Sequence, residues 1–321
     1  MTTLQEQFTT AFPHLSFQLN YPLATKTYFK VGGPAELYLE LAEREQIIAL
    51  VQFCQKNQLP MIILGGGSNV IVADKGLDGL VLKLTNSDFS IVGKQNNETI
   101  IRAGAGLRTT LLVRKTIDAG LTGLEYFLGV PGNLGGAVFN NAHYLQDLIS
   151  EYIWRVEIIN KTGEAEWLDN KECEFGYDSS RFQRTGEVIL QAELHLSAGL
   201  AEESQKLIKQ ATLYRSETQP LGLPSSGCIF QNTPNNPELQ KRFPQFAERS
   251  HVPSGFLIDQ AGLKNTREGD IEVSDKHAAF FVNRGKGRAS DIQKLIERVK
   301  SVVKDKFGVE LREEVFWLGK S

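Results

Sequence analysis

The stretch Met61-Ile-Ile-Leu-Gly-Gly-Gly-Ser-Asn-Val-Ile-Val-Ala-Asp74 decides the reading, because an apolar run breaks into three glycines, a Ser and an Asn and then resumes. The β-branched residues Val70, Ile71 and Val72 favour extended backbone, so the stretch reads as strand, tight loop, strand. Gly65, Gly66 and Gly67 can take positive φ and turn successive N–H groups toward one point, a nest suited to phosphate or pyrophosphate. Ser68 and Asn69 add side-chain donors at the same place. The dinucleotide fingerprint and the P-loop both open a helix, and the P-loop also needs a Lys before its Ser or Thr. Here a strand follows and no Lys precedes Ser68. A phosphate nest and an ordinary Gly-rich turn both remain open.

Upstream, Ile47, Leu50, Val51 and Cys54 recur at helical spacing over residues 43–58, and Pro60 ends that run. With a strand at residues 36–40 this predicts a βαβ-type start. Downstream, residues 79–84 and 99–104 read as strands and 111–119 as a helix. A second Gly-rich stretch then runs from Tyr126 to Tyr144, with no Asp, Glu, Lys or Arg from Phe127 onward. It is expected to avoid regular structure and to suit close contact with a flat, apolar cofactor ring, or else to be a buried turn. Residues 151–168 alternate around Lys161-Thr-Gly-Glu164 and predict a β-hairpin. A polar loop at 174–183, a strand at 188–196 and a helix at 202–216 follow, with a weakly patterned boundary near residue 200. The turn-rich segment 218–232 presents Cys228 directly after Gly227. Over residues 289–307, Ile292, Leu295, Ile296, Val299, Val303 and Phe307 make one apolar helix face, with Ser290 and Gln293 as a capping box and Gly308 as the stop. The tail 309–319 is strand-like, which points Glu313 and Glu314 to opposite faces.

The chain has 321 residues and a formal net charge of -3, which supplies no basic field for nucleic acid. It holds no apolar stretch long enough for a membrane helix and opens without the order of a signal peptide, so a cytoplasmic protein is expected. Cys54, Cys173 and Cys228 are widely spaced, with no C-x-x-C and no His at ligand spacing, so neither a disulfide framework nor a metal site is expected.

Taken in order, Gly65-Gly-Gly-Ser-Asn69, Val130-Pro-Gly-Asn-Leu-Gly-Gly-Ala137, Phe175-Gly-Tyr-Asp-Ser-Ser-Arg-Phe182, Pro224-Ser-Ser-Gly-Cys-Ile-Phe230 and Leu311-Arg-Glu-Glu-Val315 resemble the UDP-N-acetylenolpyruvoylglucosamine reductase family. The resemblance runs from about Thr27 to Gly319, in the shorter form without the extra substrate-covering loop. It implies an α+β chain: a two-subdomain FAD-binding fold of the vanillyl-alcohol-oxidase/PCMH type (1–75 and 76–204), a C-terminal α/β substrate domain (205–308), and a last strand (309–321) returning to the active site. It implies FAD held without a covalent bond by Gly65, Gly66, Gly67, Ser68, Asn69, Val130, Pro131, Gly132, Gly135, Gly136 and Ala137, with NADPH as cosubstrate. The implied reaction reduces UDP-N-acetylglucosamine enolpyruvate to UDP-N-acetylmuramate, and Tyr177, Asn232 and Lys264 match substrate-facing positions.

The family's proton donor falls on Cys228, where Ser is commoner, and its orienting carboxylate falls on Glu314. A thiol of pKa about 8.5 is mostly protonated at neutral pH, so the exchange is chemically sound; an inert buried thiol is the alternative. Where the family has Arg after the Tyr of the Gly-Tyr motif, this chain has Asp178. Arg181 is the remaining basic residue of that motif and is expected to stabilise the developing anion. Where the family commonly has Gly, this chain has His143, which either alters the flavin contacts or anchors the flavin covalently. His277 reads equally as structural or as a contact. Two further readings stay open: an FAD-linked oxidase or dehydrogenase of a small alcohol or lactone, and a UDP-sugar-binding protein without catalysis.

Overall fold

The computed structural model describes residues 3–144 and 147–319. They form two compact units, with the chain passing between them several times. Unit 1 comprises the described residues of Met1–Tyr21, Ala35–Gly66 and Asp78–Tyr214; unit 2 comprises those of Pro22–Pro34, Gly67–Leu77 and Arg215–Ser321.

In unit 1, helix α1 (Leu4–Ala11) starts on a capping box in which Thr3 and Glu6 bond each other's backbone N–H. Helix α2 (Arg44–Lys56) buries Ile47, Leu50, Val51 and Cys54, the face its spacing predicts. One sheet orders its strands Gln18–Pro22, Pro34–Leu41, Leu77–Leu84, Met61–Leu64, the last two parallel. A second, antiparallel sheet orders Ala165–Asp169, Ile153–Ile159, Val188–Ala198, Glu98–Gly104, Phe89–Gln95. At its centre the fully buried Glu193 carboxylate takes Arg102 Nη2 at 2.6 Å and Arg155 Nε at 2.8 Å, so two guanidinium groups offset its desolvation. Helix α3 (Thr109–Asp118) packs beside it, and Leu112 and Val113 join the same core.

The second Gly-rich stretch departs from expectation. It contains helix α4 (Leu134–Asn140), where regular structure was not expected. The Asn133 side chain caps it by accepting from Gly136 N at 3.0 Å, and the absence of charge lets Leu134, Ala137 and Val138 bury. A short helix α5 (Phe182–Thr185) follows the Tyr177 loop, and α6 (Ala201–Thr218) leads out of the unit.

Unit 2 carries helices α7 (Pro237–Arg242), α8 (Ser254–Gln260) and α9 (Ala289–Phe307), with an antiparallel sheet of Arg267–Glu268, Ile271–Val273 and Phe281–Asn283. All six predicted apolar residues of α9 are buried, each worth roughly 1.5–3 kcal/mol. Its cap differs from expectation. Asp74 accepts from Ala289 N at 2.9 Å and Ser290 N at 3.2 Å, so a distant carboxylate takes the Ser290 N–H that the sequence assigns to a local box with Gln293.

The unit boundaries also differ from those read in the sequence. Phe29, Val31 and Ile71 are buried in the unit 2 core with Ile229, Phe281 and Leu311, which draws segments 22–34 and 67–77 out of the N-terminal part. The last strand, Phe316–Leu318, runs parallel to Val70–Val72, directly after the triple-glycine loop.

Candidate active site

The two glycine stretches meet in unit 1. A Cβ on Gly66 would lie 2.3 Å from the Gly132 Cα, so only glycine allows this approach. Asn133 Oδ1 accepts from Gly66 N at 3.2 Å as well as from Gly136 N, tying both segments together. Of the N–H groups expected to form a nest at Gly65, Gly66 and Gly67, that of Gly66 bonds Asn133 inside the protein. Sequence reading quoted Asn133 within its motif but gave it no role, although it is one of three amides in an uncharged run.

Around this junction polar capacity is left over. Thr109 donates its N–H to Gly132 O at 3.2 Å, yet its Oγ1 is buried with no partner; Asn140 Oδ1, at the far end of α4, is likewise buried without one. Closely packed glycines with orphaned polar atoms beside them fit a flat nucleotide cofactor that completes those bonds.

The Tyr177 loop is bound to the end of α4. Asn141 Nδ2 donates to Gly176 O at 2.8 Å, and Ser180 Oγ donates to Phe139 O at 2.7 Å. Tyr177 itself is 42% exposed. Arg181 does not offer an open guanidinium. Its Nη2 and Nε bond Glu187 at 2.7 and 3.1 Å, and Nη1 donates to Glu172 O at 3.1 Å. Glu187 raises the pKa of Arg181 and offsets its charge. Arg181, expected to stabilise an anion, thus also anchors the loop through Glu187 and the Glu172 carbonyl.

In unit 2 three expected site residues come together through the backbone. Gly227 holds φ +79, which glycine adopts without strain, and Cys228 then bridges antiparallel to Phe280. Ile229 N donates to Ala279 O and Glu314 N to Ile229 O, both at 2.8 Å. Asn69 Nδ2 reaches Glu314 O at 3.1 Å, and Phe316 N donates to Asn69 O at 3.0 Å. Glu313 lies on the helix side, bonded by Lys300 of α9 and by Trp317 Nε1 at 2.7 Å.

Cys228 is half-buried, whereas burial pushes the thiols of Cys54 and Cys173 up to about 12. Asn232 Oδ1 accepts from Ser254 N at 3.3 Å, and Lys264 pairs with Asp259 of α8 at 2.9 Å. His277 takes the structural reading: burial, then the nearby Lys264 charge, lower its pKa, and its Nδ1 accepts from Ala279 N at 3.3 Å. Among the described residues no cluster of His, Cys, Asp or Glu is set to hold a metal ion, and no helix is long and apolar enough to cross a membrane.

Fold and site define an α+β flavoprotein oxidoreductase: residues 35–169 match the family described as "FAD binding domain". Residues 219–318 match "UDP-N-acetylenolpyruvoylglucosamine reductase, C-terminal domain". The reductase of that name from Staphylococcus carnosus is 38% identical over 307 residues, 96% of this chain and 93% of the relative. That from Lachnoclostridium phytofermentans is 35% identical over 301 residues, 94% of this chain and 92% of the relative. The crystal structure of UDP-N-acetylenolpyruvylglucosamine reductase from Thermus caldophilus superposes with TM-score 0.76 at 29% identity, covering 95% of this chain and 99% of that one. The chain belongs to the UDP-N-acetylenolpyruvoylglucosamine reductase family.

Proposed function

We propose that the chain reduces UDP-N-acetylglucosamine enolpyruvate to UDP-N-acetylmuramate in the cytoplasm, with NADPH as hydride source, as a step in making peptidoglycan precursors. The observation that carries the reading is the junction of Cys228 and Glu314, where the returning tail sets a carboxylate-bearing residue against the residue next to a half-buried thiol.

FAD would supply the two-electron chemistry that links oxidation of NADPH to hydride delivery at C3 of the enolpyruvyl group. Hydride at C3 leaves negative charge on C2 and the neighbouring carboxylate, so C2 must accept a proton. Cys228 donates it from Sγ, and the resulting thiolate is reprotonated from water. Glu314 hydrogen-bonds the enol form and orients the reacting carboxylate. The flavin is held by Gly65, Gly66, Gly67, Ser68 and Asn69 and by Val130, Pro131, Gly132, Gly135, Gly136 and Ala137. Tyr177, Asn232 and Lys264 contact the UDP-sugar, with the Lys264 ammonium suited to its diphosphate.

Purified protein should be yellow and should consume NADPH only when the enolpyruvyl UDP-sugar is present. Acid precipitation should release the colour into the supernatant; colour kept in the pellet would mean a covalent bond to His143. Oxygen consumption with a small alcohol would replace this reading by an oxidase, and colourless protein that binds UDP-sugar would replace it by a non-catalytic binder.

A further inference from the structure

One carboxylate oxygen of the Tyr177 loop has no donor. His143 Nδ1 lies 3.0 Å from Asp178 Oδ1, and the Asp178 side chain is only 8% exposed. Its second oxygen, Oδ2, is buried with no partner among the described residues. Asp178 also holds φ +48, the left-handed region that a non-glycine residue enters at a cost. An ionised carboxylate accepts and never donates, so a buried bare oxygen on it calls for an N–H or O–H group. The arginines that follow do not supply one: Arg181 and Arg184 are matched to Glu187 and Glu174. Where the family pattern has a guanidinium, which only donates, this chain has a group that only accepts, so the two address opposite kinds of partner.

The fold ties this loop to the far end of α4. Gln183 Nε2 donates to Phe139 O at 3.2 Å and to Asp178 O at 3.0 Å, and Asn141 Nδ2 donates to Gly176 O. At that end Asn140 Oδ1 is a second buried acceptor without a donor. Helix α4 starts from its Asn133 cap in the second glycine segment, and its seven residues rise about 10 Å. In FAD the ribityl chain sets the isoalloxazine ring a comparable distance from the pyrophosphate. The oxidised ring carries a single N–H, at N3, between two carbonyl acceptors.

We propose that Asp178 Oδ2 accepts a hydrogen bond from N3–H of the flavin ring, with His143 as the positioning residue that holds Oδ1. The bond recognises the pyrimidine edge of the ring, and no covalent bond forms in it. A carboxylate fixed against this edge opposes the negative charge that the ring gains on reduction, so it disfavours reduced flavin. Every residue involved belongs to unit 1. The proposal rests on the flavin site given above and not on the sugar substrate.

The test is exchange of the FAD in holoenzyme against excess 3-methyl-FAD, in which a methyl group replaces the N3 hydrogen, with the flavin potential and thermal melting measured alongside. In wild type the analogue should compete about 10–100-fold less well than FAD, since it leaves a buried acceptor unpaired. Asp178→Ala should lose most of that preference. Asp178→Asn keeps an acceptor and removes the charge, so it should retain the preference and shift the balance about tenfold toward reduced flavin, about 30 mV for a two-electron couple. This nearly isosteric variant decides alone if Asp178→Ala does not fold. Wild-type exchange that ignores the methyl group, full preference in Asp178→Ala, or an unchanged potential in Asp178→Asn would overturn the proposal. Colourless purified protein would instead remove the flavin site itself, and this proposal with it.

Discussion

At Cys228 a backbone arrangement sets one of three thiols apart from the other two. Cys54 and Cys173 are buried and held protonated in apolar cores, while Cys228 emerges half-buried from a left-handed Gly227 and is clamped by the bridge to Phe280. Cys228→Ala should bind the UDP-sugar and reduce flavin normally but slow reoxidation by about 10²–10⁴-fold, the usual worth of a positioned acid. Cys228→Ser should recover much of this, and an Ala variant as fast as wild type in stopped flow would end the assignment. Arg181→Met makes the opposite prediction. It strands a Glu187 carboxylate that is only 6% exposed, so melting should show a loss of about 1–3 kcal/mol while reoxidation stays within a few-fold of wild type. Unchanged melting with strongly slowed reoxidation would make anion stabilisation the larger part of what Arg181 does. The family motif made Cys228 and Arg181 visible as candidates, but the Glu187 pairing depends on where the strand after the loop begins, which no local pattern records.

For helix α9, periodicity alone placed the element, because six apolar side chains at helical spacing have one way to be buried together. The Asp74 cap was not legible, since Asp74 lies 216 residues upstream of the Ser290 N–H it accepts from. Burial alone would raise the Asp74 pKa, but the bonds from the Ser290 side chain and from the Ala289 and Ser290 N–H groups, with Arg288 nearby, bring it below the usual carboxylate value. A lowered folded-state value means the contribution is fully present above the ordinary Asp range and is lost as pH falls through the folded value. Asp74→Ala should therefore cost about 0.5–2 kcal/mol at neutral pH, and its melting deficit against wild type should shrink in strongly acidic buffer. A deficit that stays constant with pH would show that Asp74 acts by packing alone.

At the scale of the molecule, the interleaved units set the limits of dissection. A fragment of residues 215–321 contains the whole C-terminal family match but lacks Phe29, Val31 and Ile71, which sit in the same core. Three such side chains contribute roughly 5–9 kcal/mol, comparable to the whole stability of an ordinary domain. The fragment should therefore lack cooperative melting, and a sharp transition by circular dichroism would contradict this. By itself the sequence determined the α+β class, most helices and strands, the reductase family and the separate oddity of Asp178 and His143. Those are properties of short-range periodicity and ordered motifs, which are written locally along the chain. Tertiary structure alone decided that Asn133 joins the two glycine segments, that Asp74 caps α9, that Arg181 is held by Glu187, and that His143 meets Asp178. Apart from Arg181 and Glu187, six residues from each other, these are pairings of polar groups far apart in sequence, and such pairs form because burial leaves each group no water and only the folded chain supplies the partner.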